Sequence, residues 1–467
     1  MKPAALLLLV LLPSPVAFPE EKPLPKELPP FGEERPLPAL SLQESTLPNG
    51  LTVWLLPRPG FPKVTAIVTV RGGTAADAPG FEGTSEVLAE ALKAGTAKRS
   101  SRKIAEELEA VGGELSSSAG DDALTLSVDG LSDGASELLE ILGDVSENAS
   151  FPPSEVELAK TNALEGLKVR SAEPSFAADK AFASAVYGNH PYRTVAPTPR
   201  AIEAVTPLLL KGVYSSRFRP QGALLVVAGA FEAAALLKAI EGAFGPWKAR
   251  GLPPPKTLPV PATKPHATLL VDRPGSVQSV LLVGRSTLSP QDPRRYALSV
   301  ANTIFGGAFG SRLVKHLRED KGYTYTPSSS ASTEEQGGIL EVRSDVRTEV
   351  TAPALLETFY ELDRMAAQRV SDEELQKAKR YTSGLFLLRN QLQGSVAAAL
   401  SANWVKGLPP QALTEFVSRI NAATPDEVLA ASRAFFPSRS QVVVVVGDAK
   451  KIRDDLLLFG PVTLVTP

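Results

Sequence analysis

Between Lys63 and Val70, apolar residues fall on every second position. Val64, Ala66, Val68 and Val70 alternate with Lys63, Thr65, Ile67 and Thr69. A side-chain period of two predicts a strand with one buried face. Leu124, Leu126 and Val128 carry the same alternation, and Asn49-Gly50 is a turn signal leading into a strand at Leu51 to Trp54. Gly83 to Ala94 changes to helical spacing, and Ser154 with Glu157 has the form of a capping box opening a long helix. Strands that follow one another directly, mixed with helices, predict an α+β architecture: a mostly antiparallel sheet with helices packed on one face.

This pattern is written twice. Ile202-Glu203-Ala204-Val205-Thr206-Pro207 returns as Ile420-Asn421-Ala422-Ala423-Thr424-Pro425, an offset of 218 residues that holds to the apolar strands ending at Gly229 and Gly447. Ser154 to Lys160 matches Ser371 to Lys377 at an offset of 217, and Ser371 with Glu374 repeats the capping box. Solenoid repeats run at about 20–50 residues, so a period this long predicts two homologous domains of ordinary size. Their limits are 46–244 and 266–467, joined by the proline-dense segment 245–265 as a semi-rigid linker. Apolar strands resume in the second domain at Thr268 to Val271 and Ser279 to Gly284.

The N-terminus reads differently. Lys2 followed by the apolar run Ala4 to Leu12 and small residues near Ser14 to Ala17 predicts a signal peptide over 1–18. That run is too short for a membrane span of about 20 residues, so export to a periplasm or the exterior is expected, without a stable membrane span. Residues 19–45, rich in Pro and Glu, predict a disordered spacer. A net charge of −2 with no basic cluster excludes nucleic acid as a natural partner. The absence of Cys removes disulfides, thiolate nucleophiles and Cys-based zinc sites. Three histidines remain, His190, His266 and His316, and none has a partner at metal-ligand spacing. His190, just before Pro191, is expected to be a packed, hydrogen-bonded loop residue; His316 is expected to be exposed or to support its neighbours.

Several phrases carry a family likeness: Asn49-Gly50-Leu51, Gly95-Thr96, His190-Pro191-Tyr192, and Phe305-Gly306-Gly307-Ala308-Phe309-Gly310-Ser311-Arg312-Leu313. Through them the chain resembles the pitrilysin, insulysin and mitochondrial processing peptidase family of inverzincin metallopeptidases, over nearly everything after the Pro-rich spacer. The resemblance implies paired homologous domains forming a clam-shell, and a zinc motif H-x-x-E-H on the first helix with a Glu from a later helix as third ligand. The corresponding window here is Glu86-Val87-Leu88-Ala89-Glu90. Glu86 and Glu90 stand in place of the imidazoles and Ala89 in place of the water-activating Glu, while the third ligand falls near Gly166, with Glu165 one step off the matching face. Two carboxylates favour hard cations over Zn²⁺, but the preferred reading is that both are solvated helix residues. This chain is therefore expected to hold no metal and no cofactor of its own.

The second domain keeps what the first has lost. The resemblance assigns to Arg318 and Tyr325, seven positions apart, contact with substrate in the catalytic chamber. A guanidinium offers planar paired donors to carbonyls or carboxylate, and a phenol can stabilise an oxyanion. The alternatives are an ion pair of Arg318 with Glu319 or Asp320, and Tyr325 capping a core. Gly306, Gly307 and Gly310 resemble a flexible substrate-contacting loop, or else serve a tight turn before a short helix from Ser311 to Leu317. The implied function is a substrate-positioning subunit of a heterodimeric or larger zinc metallopeptidase, with zinc supplied by a homologous H-x-x-E-H-bearing partner and an extended peptide as substrate. The competing expectation is a non-enzymatic scaffold or peptide-binding protein resembling respiratory-complex core proteins.

Overall fold

Each alternating stretch becomes a strand, and the two halves build the same sheet. The computed structural model of the chain describes residues 41–264 and 267–465. The expected signal peptide, most of the spacer and His266 lie outside the described residues. The first half runs β1 (Gln43–Thr46), β2 (Thr52–Pro57), β3 (Lys63–Arg71), α1 (Thr84–Leu92), α2 (Ser101–Ala110), β4 (Glu114–Ala119), β5 (Ala123–Leu131), α3 (Ala135–Asn148), α4 (Pro153–Ser171), α5 (Pro174–Tyr187), α6 (Pro199–Glu203), α7 (Pro207–Arg217), β6 (Ala223–Gly229) and α8 (Ala233–Phe244). Strand β1 starts inside the segment expected to be spacer, so ordered chain begins before residue 46. The second half runs β7 (Thr268–Asp272), β8 (Gln278–Thr287), α9 (Arg295–Asn302), β9 (Ser328–Glu334), β10 (Gly337–Arg347), α10 (Thr351–Ala367), α11 (Asp372–Arg389), α12 (Gln393–Val405), α13 (Gln411–Thr414), α14 (Phe416–Ala422), α15 (Pro425–Phe435), β11 (Val442–Gly447), α16 (Ala449–Leu456) and β12 (Val462–Val465). Two π-helical turns, Thr303–Gly307 and Val314–Asp320, lie between α9 and β9.

The sheet orders are β1-β2-β6-β3-β5-β4 and β12-β7-β11-β8-β10-β9. From the second position on, the two orders correspond strand for strand, as the repeat requires. The parallel pairs are β2–β6, β7–β11 and β7–β12, and the other pairings are antiparallel. The repeated Thr-Pro marks the same joint twice: Thr206 caps α7 by accepting from the Leu209 amide, and Thr424 caps α15 in a full capping box with Glu427. Ser371 and Glu374 form the predicted box at α11. Ser154 does not. Pro152 and Pro153 start α4 earlier, so Ser154 already lies in its first turn and Glu157 pairs with Lys160 at 2.9 Å instead.

Strand β3 is buried on both faces, not one. One face meets the helices of its own half, with Val64, Val68 and Val70 packed on residues such as Leu88, Leu138 and Leu142. The other face is covered by a helix from the second half: Val396, Ala397 and Leu400 of α12 pack on Trp54, Leu56, Ile67, Leu224 and Val226. The exchange is mutual. Ala178, Phe182 and Val186 of α5 lie on Val271, Val280, Leu282, Val442 and Val444 of the second sheet. The two α+β domains are therefore interlocked as well as docked.

Polar contacts reinforce the junction. The Tyr192 hydroxyl donates to Asp122 Oδ1 at 2.5 Å and accepts from the Gln336 amide at 3.2 Å, while Asp122 Oδ2 accepts from the Glu335 amide at 2.8 Å. His190 is buried as expected; its Nδ1 accepts from the Tyr192 amide, so Nε2 carries the proton it donates to the Leu258 carbonyl of the linker at 2.7 Å. The linker is pinned along its length. The Trp247 indole donates to the Phe218 carbonyl at 3.2 Å, and the Thr263 amide donates to Ser286 Oγ at 3.0 Å.

Candidate functional site

The helix that corresponds to the zinc motif is rigidly seated. Asp77 caps α1, its Oδ2 accepting from the Gly83 and Ser85 amides at 3.0 and 3.1 Å. Its Oδ1 accepts from Ser85 Oγ and from Arg217 Nη2 at 2.8 Å, and both members of this ion pair are buried. Gly83 sits at φ 94°, where a side chain would be strained and a Cβ would press on Pro197. Val87, Leu88, Ala91 and Leu92 face the core, which turns Glu86 and Glu90 the other way.

Those two carboxylates do not form a ligand pair. Glu90 is exposed and joined to Lys93 Nζ at 2.9 Å. Glu86 is half-buried, and burial raises its pKa above the usual carboxylate value, opposed by Arg170 and assisted by Asp77. Arg170, one turn beyond Gly166 on α4, brings Nη2 to 3.9 Å from Glu86 Oε2. Gly166 faces open space, Glu165 is exposed, and Ala89 is buried with its carbonyl accepting from Ser117 Oγ at 2.6 Å. Among the described residues no group of three or more His, Cys, Asp or Glu is arranged to hold a metal. The residues present do not fit Zn²⁺: one donor is occupied by lysine, a guanidinium approaches the other, the third is missing, and no base stands between them.

At the second candidate position the structure gives a definite geometry. The Arg318 guanidinium packs on two rings, 4.7 Å from the centroid of Phe309 and 4.8 Å from that of Tyr325. Phe309 is 67% exposed and Tyr325 76%, so neither belongs to a core. Tyr325 therefore does not cap a core, and among the described residues no carboxylate lies within 4 Å of Arg318. Phe309 was not singled out by sequence; its only signal was a large aromatic inside a glycine-rich phrase.

The three glycines of the phrase do not share one local structure. Gly306 and Gly307 lie within the π turn Thr303–Gly307, and Gly310 lies in a turn before the next helix. None of the three has a positive φ. A Cβ on Gly306 would meet Ser329 Oγ at 2.6 Å, and one on Gly307 would meet the Asn302 amide at 2.7 Å. Close approach to β9 and to the preceding turn is what demands glycine there.

His316 anchors the turn that carries Arg318. Its Nδ1 lies 2.9 Å from Glu361 Oε1 and its Nε2 3.1 Å from Glu357 Oε2, both on α10. Glu357 also meets Lys321 Nζ at 2.8 Å, and buried Glu361 meets Arg364 Nη1 at 3.2 Å. With each ring nitrogen facing a different carboxylate, this histidine is a brace, not a metal ligand.

A further feature bears on peptides. The sheets end in β4 and β9, whose sequences Glu114-Leu115-Ser116-Ser117-Ser118-Ala119 and Ser328-Ser329-Ser330-Ala331-Ser332-Thr333-Glu334 contain no Lys and no Pro. These are the residues that commonly guard an exposed edge against pairing. Among the described residues no helix is long and apolar enough to cross a membrane.

Comparison with known proteins gives a consistent picture. Residues 53–198 match the family model described as insulinase (peptidase family M16), and residues 204–381 match the peptidase M16 inactive domain. The chain is 24% identical over 397 residues to a Bacillus subtilis protein named an uncharacterized zinc protease, covering 85% of this chain and 96% of that one. A Mycobacterium tuberculosis protein with the same description is 26% identical over 416 residues, covering 88% and 94%. Among solved structures, a peptidase M16 inactive domain from Pseudomonas fluorescens superposes with a TM-score of 0.81 at 22% identity, covering 87% of this chain and 98% of that one. A protease from Helicobacter pylori gives 0.81 at 17% identity, covering 87% and 99%.

Proposed function

The chain belongs to peptidase family M16, a family related to zinc proteases, and from that premise we propose that it positions peptides for cleavage by a homologous, zinc-bearing partner. The observation that carries this is the charge at the place of the metal. A cationic side chain, Arg170, approaches the one half-buried carboxylate there, Glu86, and a guanidinium and Zn²⁺ compete for the same electrostatic role. The chain's own contribution lies in the second half. Arg318, in contact with the Phe309 and Tyr325 rings, offers donors to a substrate carbonyl, and the exposed Tyr325 hydroxyl is available to a developing oxyanion. An extended peptide adding to an unguarded edge, β4 or β9, would be gripped through its main chain, which favours extended conformation over a fixed sequence.

The test is peptidase activity of three samples: this chain, a homologue carrying H-x-x-E-H, and their mixture. Turnover is expected from the mixture well above either component. In the mixture, Tyr325→Phe should lower kcat about 10²-fold, the scale of one lost oxyanion donor, and Arg318→Ala should lower kcat/KM. Zinc-dependent turnover by this chain alone would refute the proposal.

A further inference from the structure

Beside the stacked Arg318 lies an open cavity of about 580 Å³ whose lining includes Gln278, Tyr325, Asp345 and Arg347. Strand register explains why these residues meet. Arg347 is directly opposite Gln278 across β10 and β8, and Thr324 bridges Val346 in antiparallel sense, which sets Tyr325 opposite Asp345. Val346 points into the core of the second half, so Asp345 and Arg347 point to the other face. That is the face on which α5 rests, since Arg343, two residues before Asp345, forms an ion pair with Asp179 of α5.

The chemistry of the lining is one-sided. Two guanidinium groups, the Gln278 amide and the Tyr325 hydroxyl offer donors, whereas among the described residues Asp345 is the one carboxylate lining the cavity. Arg347 spends one Nη1–H on the Gly322 carbonyl at 3.3 Å. Among the described residues neither Arg318 nor Arg347 has a carboxylate within 4 Å. A guanidinium already packed on two rings loses less freedom on binding, and its planar fork matches a carboxylate. Asp345 tells against a doubly charged phosphate more strongly than against a singly charged carboxylate.

We propose that this cavity is a carboxylate-recognition site in which Arg347 acts beside Arg318, so that the peptides this chain positions carry a carboxylate at that point. The inference rests on Arg318 and Tyr325 facing substrate, and it adds both a residue, Arg347, and a substrate class, peptides presenting a C-terminal or side-chain carboxylate.

The test uses the full chain and a labelled decapeptide without acidic side chains, in three forms: C-terminal amide, free acid, and amide with one internal Glu. Fluorescence anisotropy is expected to show the free acid, the Glu form, or both, binding about tenfold tighter than the neutral amide. Arg347→Ala should compress that ratio below about threefold, with Arg347→Lys intermediate because a single ammonium cannot form the paired bonds. Arg102→Ala, on the exposed face of α2, should leave the ratio unchanged and so separate a local site from net charge. Equal binding of all three forms, or a ratio that survives Arg347→Ala, overturns the site. If no peptide form binds, calorimetry with acetate and inorganic phosphate decides. Acetate binding that Arg347→Ala abolishes upholds the carboxylate site while removing the peptide function; stronger binding of phosphate, or no binding of either, overturns it.

Discussion

Leu400→Ala removes three carbons from a side chain with no exposed surface. Leu400 belongs by sequence to the second half, yet it packs on Trp54, Ile67, Leu224 and Val226 of the first sheet. That sheet is hydrogen-bonded and cannot collapse into the space, so the cost should fall in the upper part of the usual range of about 2–5 kcal/mol. The larger question is whether the damage stays in one half. Val396, Leu400 and Leu413 on one side, and Phe182, Val186 and Tyr187 on the other, are buried in the two exchanged clusters. At about 2 kcal/mol each, these six side chains couple the halves by on the order of 12 kcal/mol, comparable with the roughly 5–15 kcal/mol that holds a whole domain folded. The halves should therefore unfold as one unit. Urea denaturation tests this directly, because Trp54 and Trp247 lie in or against the first half and Trp404 ends α12 beside Arg71, whereas far-ultraviolet circular dichroism senses both halves. Both probes should share one transition, and Leu400→Ala should move them together without changing the slope. Phe182→Ala is the sharper arm, since Phe182 packs on the second sheet but should lower the tryptophan transition equally. Two separate transitions, with only one displaced, would refute the coupling.

Two further outcomes are expected. Removing one member of the buried Asp77–Arg217 pair, as in Asp77→Ala, should cost about 3–5 kcal/mol by leaving a lone buried charge, and Asp77→Leu combined with Arg217→Met should cost less than the sum of the singles in a denaturation cycle. At the seam between the halves, burial raises the pKa of Glu334, opposed by Lys406 and reinforced by Asp121 and Asp122; burial likewise raises those of Asp121 and Glu335. A carboxyl with a raised folded pKa contributes stability that is fully present below its unfolded value of about 4.5 and is lost as pH rises through the folded value. Glu334→Gln should therefore raise the thermal midpoint at about pH 7, with the gain fading below about pH 4; a gain that is the same at both would contradict the assignment.

Much of the fold was legible because it is local. Alternation gave the strands, Thr-Pro and Ser-x-x-Glu gave helix starts, and the duplicated phrases gave the two domains. The misses are contacts made by distant chain. The second burial of β3 depends on α12, more than 300 residues away, and Thr65 and Thr69 on that face disguised it. Strands β6 and β11, Ala-Leu-Leu-Val-Val-Ala-Gly and Val-Val-Val-Val-Val-Gly, carried the better signal, because an unbroken apolar run fits burial on both sides. The donors of the candidate carboxylate site are similarly scattered: Gln278, Arg318, Tyr325 and Arg347 come from strand ends and a turn, and only the register between β8, β10 and Thr324 gathers them. The misassigned cap at Ser154 was a local error, since the two prolines before it already start the helix.

The π turn before Tyr323 gives this architecture an unusual means of variation. Its wide bonding, such as the Lys321 amide to the His316 carbonyl at 3.1 Å, accommodates one more residue than an α-turn would. Losing one residue here would close the wide turn to an ordinary α-turn and shift by one position which residue stands at each place within it. The place against Phe309 and Tyr325 would then receive a neighbour of Arg318. Relatives that differ here by a single deletion could thus exchange a guanidinium for an acid or a leucine without altering one side chain, which makes the length of this stretch as informative as its composition.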